Sequence, residues 1–205
     1  MKTESLGGFD RFRVPAALLV IAIHTGPLLS LNGEANYLLT DILARIAVPF
    51  FFSVSGWFLV PRLLREGRAA LIPFVKKLLL LYGAAALLYL PLNLYNHTLE
   101  ESGFALLRDV FFNGTFYHLW YFPALVLGAC LVYGLLRILG PRWAWLPALL
   151  LYAAGLLGDS YFGLTAALPP LRAGYEALFL LFDYTRNGLF FPPVFLLLGG
   201  WLALR

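Results

Sequence analysis

Residues 14–33 read VPAALLVIAIHTGPLLSLNG, a stretch without one charged side chain. A second apolar stretch, IAVPFFFSVSGWFLV, follows at residues 46–60. The hydrocarbon core of a bilayer is about 30 Å thick, and about 20 apolar residues cross it as a helix. The first stretch therefore predicts a transmembrane helix, and it decides the fold class of the chain.

The composition of the whole chain excludes a soluble domain. Of its 205 residues, 61% are hydrophobic and only 13% are charged, whereas soluble domains have about 45–50% and about 25%. Cys130 is the single cysteine, so a disulfide scaffold is excluded as well. The net charge of +4 comes from basic residues scattered between apolar runs, a pattern that argues against a nucleic-acid partner. We predict an all-α, polytopic transmembrane bundle whose partner is the lipid bilayer.

Six apolar stretches are candidate spans of this bundle. They cover residues 14–33, 46–60, 78–93, 116–136, 143–157 and 188–204. Lys and Arg are concentrated before the first stretch, between the second and third, between the fourth and fifth, and at the last residue. Because cytoplasmic loops are enriched in Lys and Arg, this alternation predicts that both termini are cytoplasmic. We expect a single multi-pass domain over residues 1–205 in the plasma membrane.

Arg13 and His24 are the first candidate functional residues. Eleven residues of helix give about 16 Å of rise and close to three turns, so both project from nearly the same flank. An arginine fork suits a phosphate, and a histidine inside the membrane suits proton transfer. We expect this flank to face the protein interior, with Asp10 orienting Arg13 and a tunnel joining Arg13 to His24. The alternative is that Arg13 anchors the helix at the surface and His24 only packs.

Further polar residues gather at the predicted outer side. His118 lies at the outer end of the fourth stretch, and Asp183, Arg186 and Asn187 precede the sixth. Asp183 and Arg186 are three residues apart, a spacing that allows them to pair on a helix. We predict that these four residues bind a polar acceptor, with capping of the spans as the alternative. The histidines have no cysteine or carboxylate at ligand spacing, so no metal site is expected.

A basic segment lies between the second and third stretches. Lys76 and Lys77 follow Arg62, Arg65 and Arg68 there, in what we expect to be a cytoplasmic loop. Such charge usually reflects topology and attraction to anionic lipid. It can also attract an anionic cosubstrate.

Several motifs of the chain resemble the acyltransferase-3 family of integral-membrane acyltransferases. The likeness begins with FDRFRVPAALLVIAIHT at residues 9–25, which contains Arg13 and His24, and continues in AVPFFFSVSGWFL at residues 47–59. The motifs NGTFYHLWYFPAL, GDSYFGL and DYTRNGLFF, beginning at residues 113, 158 and 183, are similar to the membrane domain of vancomycin-resistance serine racemases. This likeness runs from about residue 9 to the end of the chain.

The resemblance implies a helical bundle that uses cytoplasmic acyl-CoA to modify an acceptor on the outer side. It makes Arg13 and His24 the essential pair, and Lys76 with Lys77 a basic pair that begins the third span. A leucine run stands where an arginine usually follows this basic pair. The family bundle has more helices than the six predicted here, so we expect the chain to be truncated. The racemase-type relatives add a pyridoxal-phosphate domain that this sequence lacks, and their membrane domain is taken to supply serine.

The leading hypothesis is a transferase that moves a small acyl group such as acetyl. Arg13, Lys76 and Lys77 would hold the phosphates of acyl-CoA (acetyl-CoA), which is a cosubstrate and not a bound cofactor. His24 would act as general base toward a small polar or carbohydrate acceptor. One alternative is a transport domain for serine or a similar small polar solute, with the same residues lining the path. Another is a membrane anchor without activity.

Overall fold

The computed structural model describes residues 7–97 and 102–205, and these residues form helices and no strand. The all-α class is therefore confirmed for this part of the chain. The ten α-helices of the described residues are α1 (Gly7–Thr25), α2 (Gly33–Tyr37), α3 (Ala47–Glu66), α4 (Arg68–Tyr95), α5 (Gly103–Arg108), α6 (Tyr121–Trp143), α7 (Trp145–Gly158), α8 (Phe162–Ala166), α9 (Pro169–Leu178) and α10 (Pro192–Ala203).

Three helical segments of the described chain are long and apolar enough to cross a bilayer. They are Gly33–Glu66, in which irregular helical turns join α2 to α3, then Arg68–Tyr95 and Tyr121–Trp143. α7 and α10 have 14 and 12 residues, and such helices are only about 21 Å and 18 Å long. Six spans and the cytoplasmic position of both termini stay predictions, and residues 1–6 lie outside the described part.

The first predicted span is shorter in the structure than in the sequence analysis. α1 ends at Thr25, and Gly26 follows with φ +54°, a left-handed backbone conformation that glycine tolerates. Pro27 then prevents the helix from continuing. The predicted extension of this span to residue 33 is wrong, because residues 27–31 form turns.

The basic segment between α3 and α4 is helical, so the expectation of a loop is wrong there. α3 continues to Glu66, α4 begins at Arg68, and Gly67 alone separates them with φ +58°. The two helix ends therefore carry the basic residues in place of a flexible connection. Lys76 lies more than two turns inside α4, because a turn contains 3.6 residues.

The starts of the fourth and sixth predicted spans also lie too early. Residues 114–120 form turns, and α6 begins at Tyr121. Residues 180–191 are irregular, and α10 begins with Pro192 at its first position, where the missing N–H of proline costs nothing. These two irregular segments carry several of the predicted site residues, so their position matters more for the site than the helices themselves.

The core of the described chain lies between α3, α6 and α10. Phe52, Leu125 and Leu196 from these three helices are almost completely buried, and the Phe52 ring stacks on Tyr121 with centroids 4.7 Å apart. α10 packs most extensively against α3, α4 packs on α6 and α3, and α1 packs on α3. Because lipid is as apolar as leucine, such helices associate through close packing.

Candidate functional site

A cavity of about 850 Å³ lies beside α1, and His24 forms part of its wall. Val20 and Ile23 of α1 line it together with residues of the segment before α3, the end of α7 and the irregular segment before α10. The last three regions lie on the side that the charge pattern predicts to be outer. The cavity therefore brings His24 together with groups that are remote from it in sequence.

The packing of α1 explains why His24 faces this cavity. Phe9 packs edge-on against Trp57 of α3, and Ala16 is completely buried. Leu18 and Ile21 project from the opposite side and are more than half exposed. At about 100° per residue, His24 lies on a flank between these two sides. In the half of α1 that carries His24, this flank borders the cavity, as the sequence analysis expected.

Arg13 lies outside the cavity, although it projects from the same flank as His24. Its guanidinium pairs with the Asp10 carboxylate at 3.1 Å, as expected from the sequence, and its side chain is 47% exposed. The lining residues of the described cavity include His24 and do not include Arg13. The described cavity opens beside the outer half of α1 and does not extend to Arg13, so the tunnel joining the two groups stays a prediction.

His118 is a direct neighbour of His24. The centroids of the two imidazole rings are 5.8 Å apart, and Tyr117 contacts both rings at 5.0 Å. Tyr89 and Phe116 pack edge-on against His118 at 4.7 and 4.9 Å. Tyr117 lines the cavity, whereas His118 lies behind it in this aromatic cluster. The two histidines predicted to share a cavity thus come together, with only His24 on its wall.

Two aspartate–arginine pairs give the cavity its charge. Arg45 donates to the Asp41 carboxylate at 2.9 Å, four residues earlier in the turns before α3. Arg186 lies 2.9 Å from the carboxylate of Asp159, which follows α7. Of these residues, sequence analysis singled out only Arg186. Asp159 stands in the GDSYFGL motif that carried part of the resemblance, and this was the only signal for it.

Arg186 has unused hydrogen-bonding capacity in the cavity. Its Nε atom has no aligned hydrogen-bond acceptor, although the Asp159 carboxylate is close. Its guanidinium also lies over the Tyr184 ring, 5.5 Å from the centroid. Arginine carries five N–H donors, so the guanidinium N–H groups of Arg186 other than Nε would be the ones to reach an oxyanion or carbonyl in the cavity that this residue lines.

Tyr184 adds a neutral hydroxyl to the cavity wall. Burial raises the pKa of this phenol; the Arg186 charge opposes the shift, and the charges of Asp183 and Asp159 add to it. The hydroxyl therefore stays protonated at neutral pH and can donate a hydrogen bond. Thr185 is buried and donates from its hydroxyl to the Gly155 carbonyl at 2.6 Å, which fixes this irregular segment against α7.

Asp183 and Asn187 flank this segment and do not line the cavity. The predicted pair between Asp183 and Arg186 is wrong: the segment is not helical, and Asp183 lies 3.4 Å from the Arg108 guanidinium instead. Asn187 is 2% exposed, donates to the Tyr184 carbonyl at 2.9 Å and accepts from the Leu189 N–H at 3.0 Å. Asn187 thus holds the turn that presents Tyr184 and Arg186.

The three cations predicted to bind CoA do not form one described site. Arg13 is on α1, while Lys76 lies in a separate groove between α4 and α6. Lys77 follows Lys76 directly and therefore projects about 100° away from it around α4. Lys77 is not among the lining residues of this groove, so a joint role of the basic pair stays a prediction.

Three Enterococcus proteins that are named as racemases are similar to this chain. An amino-acid racemase of Enterococcus faecalis is 45% identical over 204 residues, which cover 98% of this chain and 29% of that protein. A second amino-acid racemase of Enterococcus faecalis is 43% identical, with 94% and 28% covered. A serine/alanine racemase of Enterococcus gallinarum is 44% identical, also with 94% and 28% covered. The chain spans less than a third of the length of these relatives.

The family comparison agrees with the resemblance found in the sequence. The family model Acyl_transf_3, described as an acyltransferase domain, matches residues 6–205. No solved structure matches the chain. The match begins just before α1 and includes every helix that contributes to the cavity. This chain therefore belongs to the acyltransferase-3 family of membrane-associated proteins.

Proposed function

We propose that the chain is the membrane part of an acyltransferase in which His24 activates an acceptor held in the 850 Å³ cavity. The observation that carries this proposal is the position of His24 on a wall shared with two aspartate–arginine pairs. A neutral imidazole can take a proton near physiological pH, and the charged groups can bind a polar acceptor beside it. The family membership supports the same class of reaction.

In the proposed step, the His24 imidazole removes a proton from a hydroxyl or amine of the acceptor. The freed electron pair attacks the thioester carbonyl carbon of acyl-CoA, and a carbon–oxygen or carbon–nitrogen bond forms. The tetrahedral intermediate then collapses, the carbon–sulfur bond breaks, and the CoA thiolate takes the proton from His24. General-base catalysis of this kind contributes about 10²–10⁴-fold to a rate.

The acceptor site would use the groups that the structure places around His24. Arg186 would offer the guanidinium N–H groups that do not face Asp159, and Tyr184 offers a neutral hydroxyl beside it. His118 contacts the His24 ring and would orient it. This role replaces the direct contact with the acceptor that the sequence analysis gave to His118. Asp183 and Asn187 would act on the acceptor only by holding the segment that carries Arg186.

The donor site would lie at the opposite end of α1 from the cavity. We assign the phosphates of acyl-CoA to Arg13 and Lys77, because Lys76 faces the groove between α4 and α6. Both residues lie on the side that the charge pattern predicts to be cytoplasmic, where acyl-CoA is available. The acyl group, for which acetyl is the simplest choice, would be transferred from this side to the outer cavity across the plasma membrane.

A second candidate function is transport of a small amino acid such as serine. Two features favour it: the paired charges of both signs in the cavity, which suit a zwitterion, and the racemase names of the similar proteins. Polar residues inside a membrane protein often mark a solute path and not a reaction. No covalent step would then involve His24.

Proteoliposomes containing the full-length protein separate the two candidates. Release of CoA thiol from acetyl-CoA is measured beside uptake of radiolabelled serine into the same vesicles. Acceptor-dependent thiol release with acyl transfer supports the transferase, and serine uptake without thiol release overturns it. Vesicles without protein give the background for both readouts.

A further inference from the structure

A groove of about 540 Å³ runs along α4 where this helix faces α6, away from the cavity that contains His24. The α4 wall is a stripe at helical spacing that includes Arg68, Ile72, Lys76 and Leu79. Cys130 and Tyr133 of α6 line the other side. The stripe is exposed, since Ile72 and Leu79 retain about half of their accessible surface.

The groove carries two cations, Arg68 at one end and Lys76 about two turns further along α4. Arg68 and Lys76 are eight residues apart, which places their Cα atoms about 12 Å apart along the helix. Long basic side chains bend toward the membrane surface, so Lys76 can reach back toward Arg68 over Ile72. The two cations can therefore approach one phosphate group together, from either side of Ile72.

These two cations have no carboxylate partner among the described residues. Arg62 and Arg65, one to two turns earlier in the chain, both pair with Glu66. Arg68 and Lys76 are exposed and form no such pair within residues 7–97 and 102–205. Unpaired positive charge beside apolar side chains in one groove is complementary to an anion that carries an apolar chain.

The whole groove along α4 is about as long as one leaflet is deep. From Arg68 to Leu80 the helix rises about 18 Å. Half of a bilayer core is about 15 Å thick. With the phosphate near Ile72, between the two cations, about 12 Å of groove would remain for the first part of an acyl chain. The cations lie on the side that the charge pattern predicts to be cytoplasmic.

We infer that this groove binds one anionic phospholipid. Its phosphate would lie between Arg68 and Lys76, and one acyl chain would follow Leu79 and Leu80 along the α6 wall formed by Cys130. Basic pockets between membrane helices on the cytoplasmic side bind such headgroups by the same charge attraction. The site is separate from the proposed acceptor cavity, so it would stand even if the chain were a transporter.

Native mass spectrometry of the full-length protein in detergent tests this site. The probes are phosphatidylglycerol and phosphatidylcholine with the same acyl chains. We expect retention of phosphatidylglycerol, and an affinity about 30-fold lower in the double variant R68Q/K76Q, from the loss of two cations. The matched control R137Q/R142Q removes the same charge from the predicted cytoplasmic end of α6 and should retain the lipid.

A second pair of variants tests the part of the groove that would hold the acyl chain. These variants leave both cations in place. Ile72→Trp narrows the groove with both cations intact and should weaken phosphatidylglycerol retention. Leu87→Trp, on an exposed position of α4 outside the groove, should not.

Three results would overturn the inference. One is equal retention of both lipids, and another is competition by glycerol phosphate, which has no acyl chain, as effective as that of the intact lipid. The third is displacement of the lipid by acetyl-CoA with the same sensitivity to R68Q/K76Q, since it would make the groove a CoA site.

Discussion

The contact between α3 and α10 predicts a large effect for one methyl group. Gly56 of α3 lies against the backbone of α10, and a Cβ atom placed there would be 2.6 Å from the Cα and carbonyl carbon of Leu196 and closer still to its oxygen. Carbon atoms pack at about 3.5–4.0 Å, so the helices would have to separate by about 1 Å. The neighbour is backbone and cannot rotate away.

The expected cost of Gly56→Ala follows from this geometry. Overpacking a tight core costs about 1–3 kcal/mol, and we expect the upper end because α10 must move as a unit. A domain of this size changes its Tm by about 2–4 °C per kcal/mol, which gives a decrease of about 6–12 °C. Phe190 and Phe191, which lead into α10, line the cavity, so its shape would change as well.

Thermal unfolding in detergent, followed by size-exclusion chromatography, measures this effect. Gly134→Ala is the matched control, because a Cβ atom there meets nothing within 4 Å. Alanine is favoured over glycine inside a helix by about 1 kcal/mol, so the control should unfold at the same or a slightly higher temperature. Equal Tm values for Gly56→Ala and Gly134→Ala would refute the close packing of α3 on α10.

Three further predictions concern the site and its support. Thr185→Val removes the hydrogen bond to the Gly155 carbonyl and should lower the free energy of unfolding by about 1 kcal/mol, measured by thermal unfolding; an unchanged Tm would contradict this contact. Asn93→Leu removes the hydrogen bond that Asn93, in the last turn of α4, donates to the Thr115 carbonyl, and should cost about 1–3 kcal/mol in the same assay; no loss would contradict a stabilising role for this bond. Arg186→Lys keeps the charge and loses the planar fork, so the KM for the acceptor should rise with little change in Tm; an unchanged KM would place the acceptor elsewhere.

The positions of the helices could be predicted better than their ends. Long runs of uncharged residues predicted α4 and α6, because a helix that crosses lipid needs such a run and other segments of the chain do not. The end of α1 was missed because the apolar run continues through Gly26 and Pro27, where local backbone geometry stops the helix. Hydropathy measures solvent preference and carries little information on such breaks.

The candidate site could be predicted only in part from the sequence. His24 was found because a titratable group in an apolar run is unusual. Asp41, Arg45 and Asp159 lie outside the apolar runs, where charge is ordinary, and only tertiary packing brings them to His24. The paired spacing of Asp183 and Arg186 was misleading, because it assumes a helix in a segment that is irregular.

The role of His24 as general base is the central claim, and one measurement tests it most directly. The rate of labelled acetyl transfer from acetyl-CoA is compared between the full-length protein and two single variants, His24→Gln and His97→Gln. His97 is exposed in the turn that follows α4, outside the cavity, and controls for loss of an imidazole. We predict that His24→Gln lowers the rate at least about 100-fold while His97→Gln leaves it unchanged; equal rates in the two variants would contradict the account.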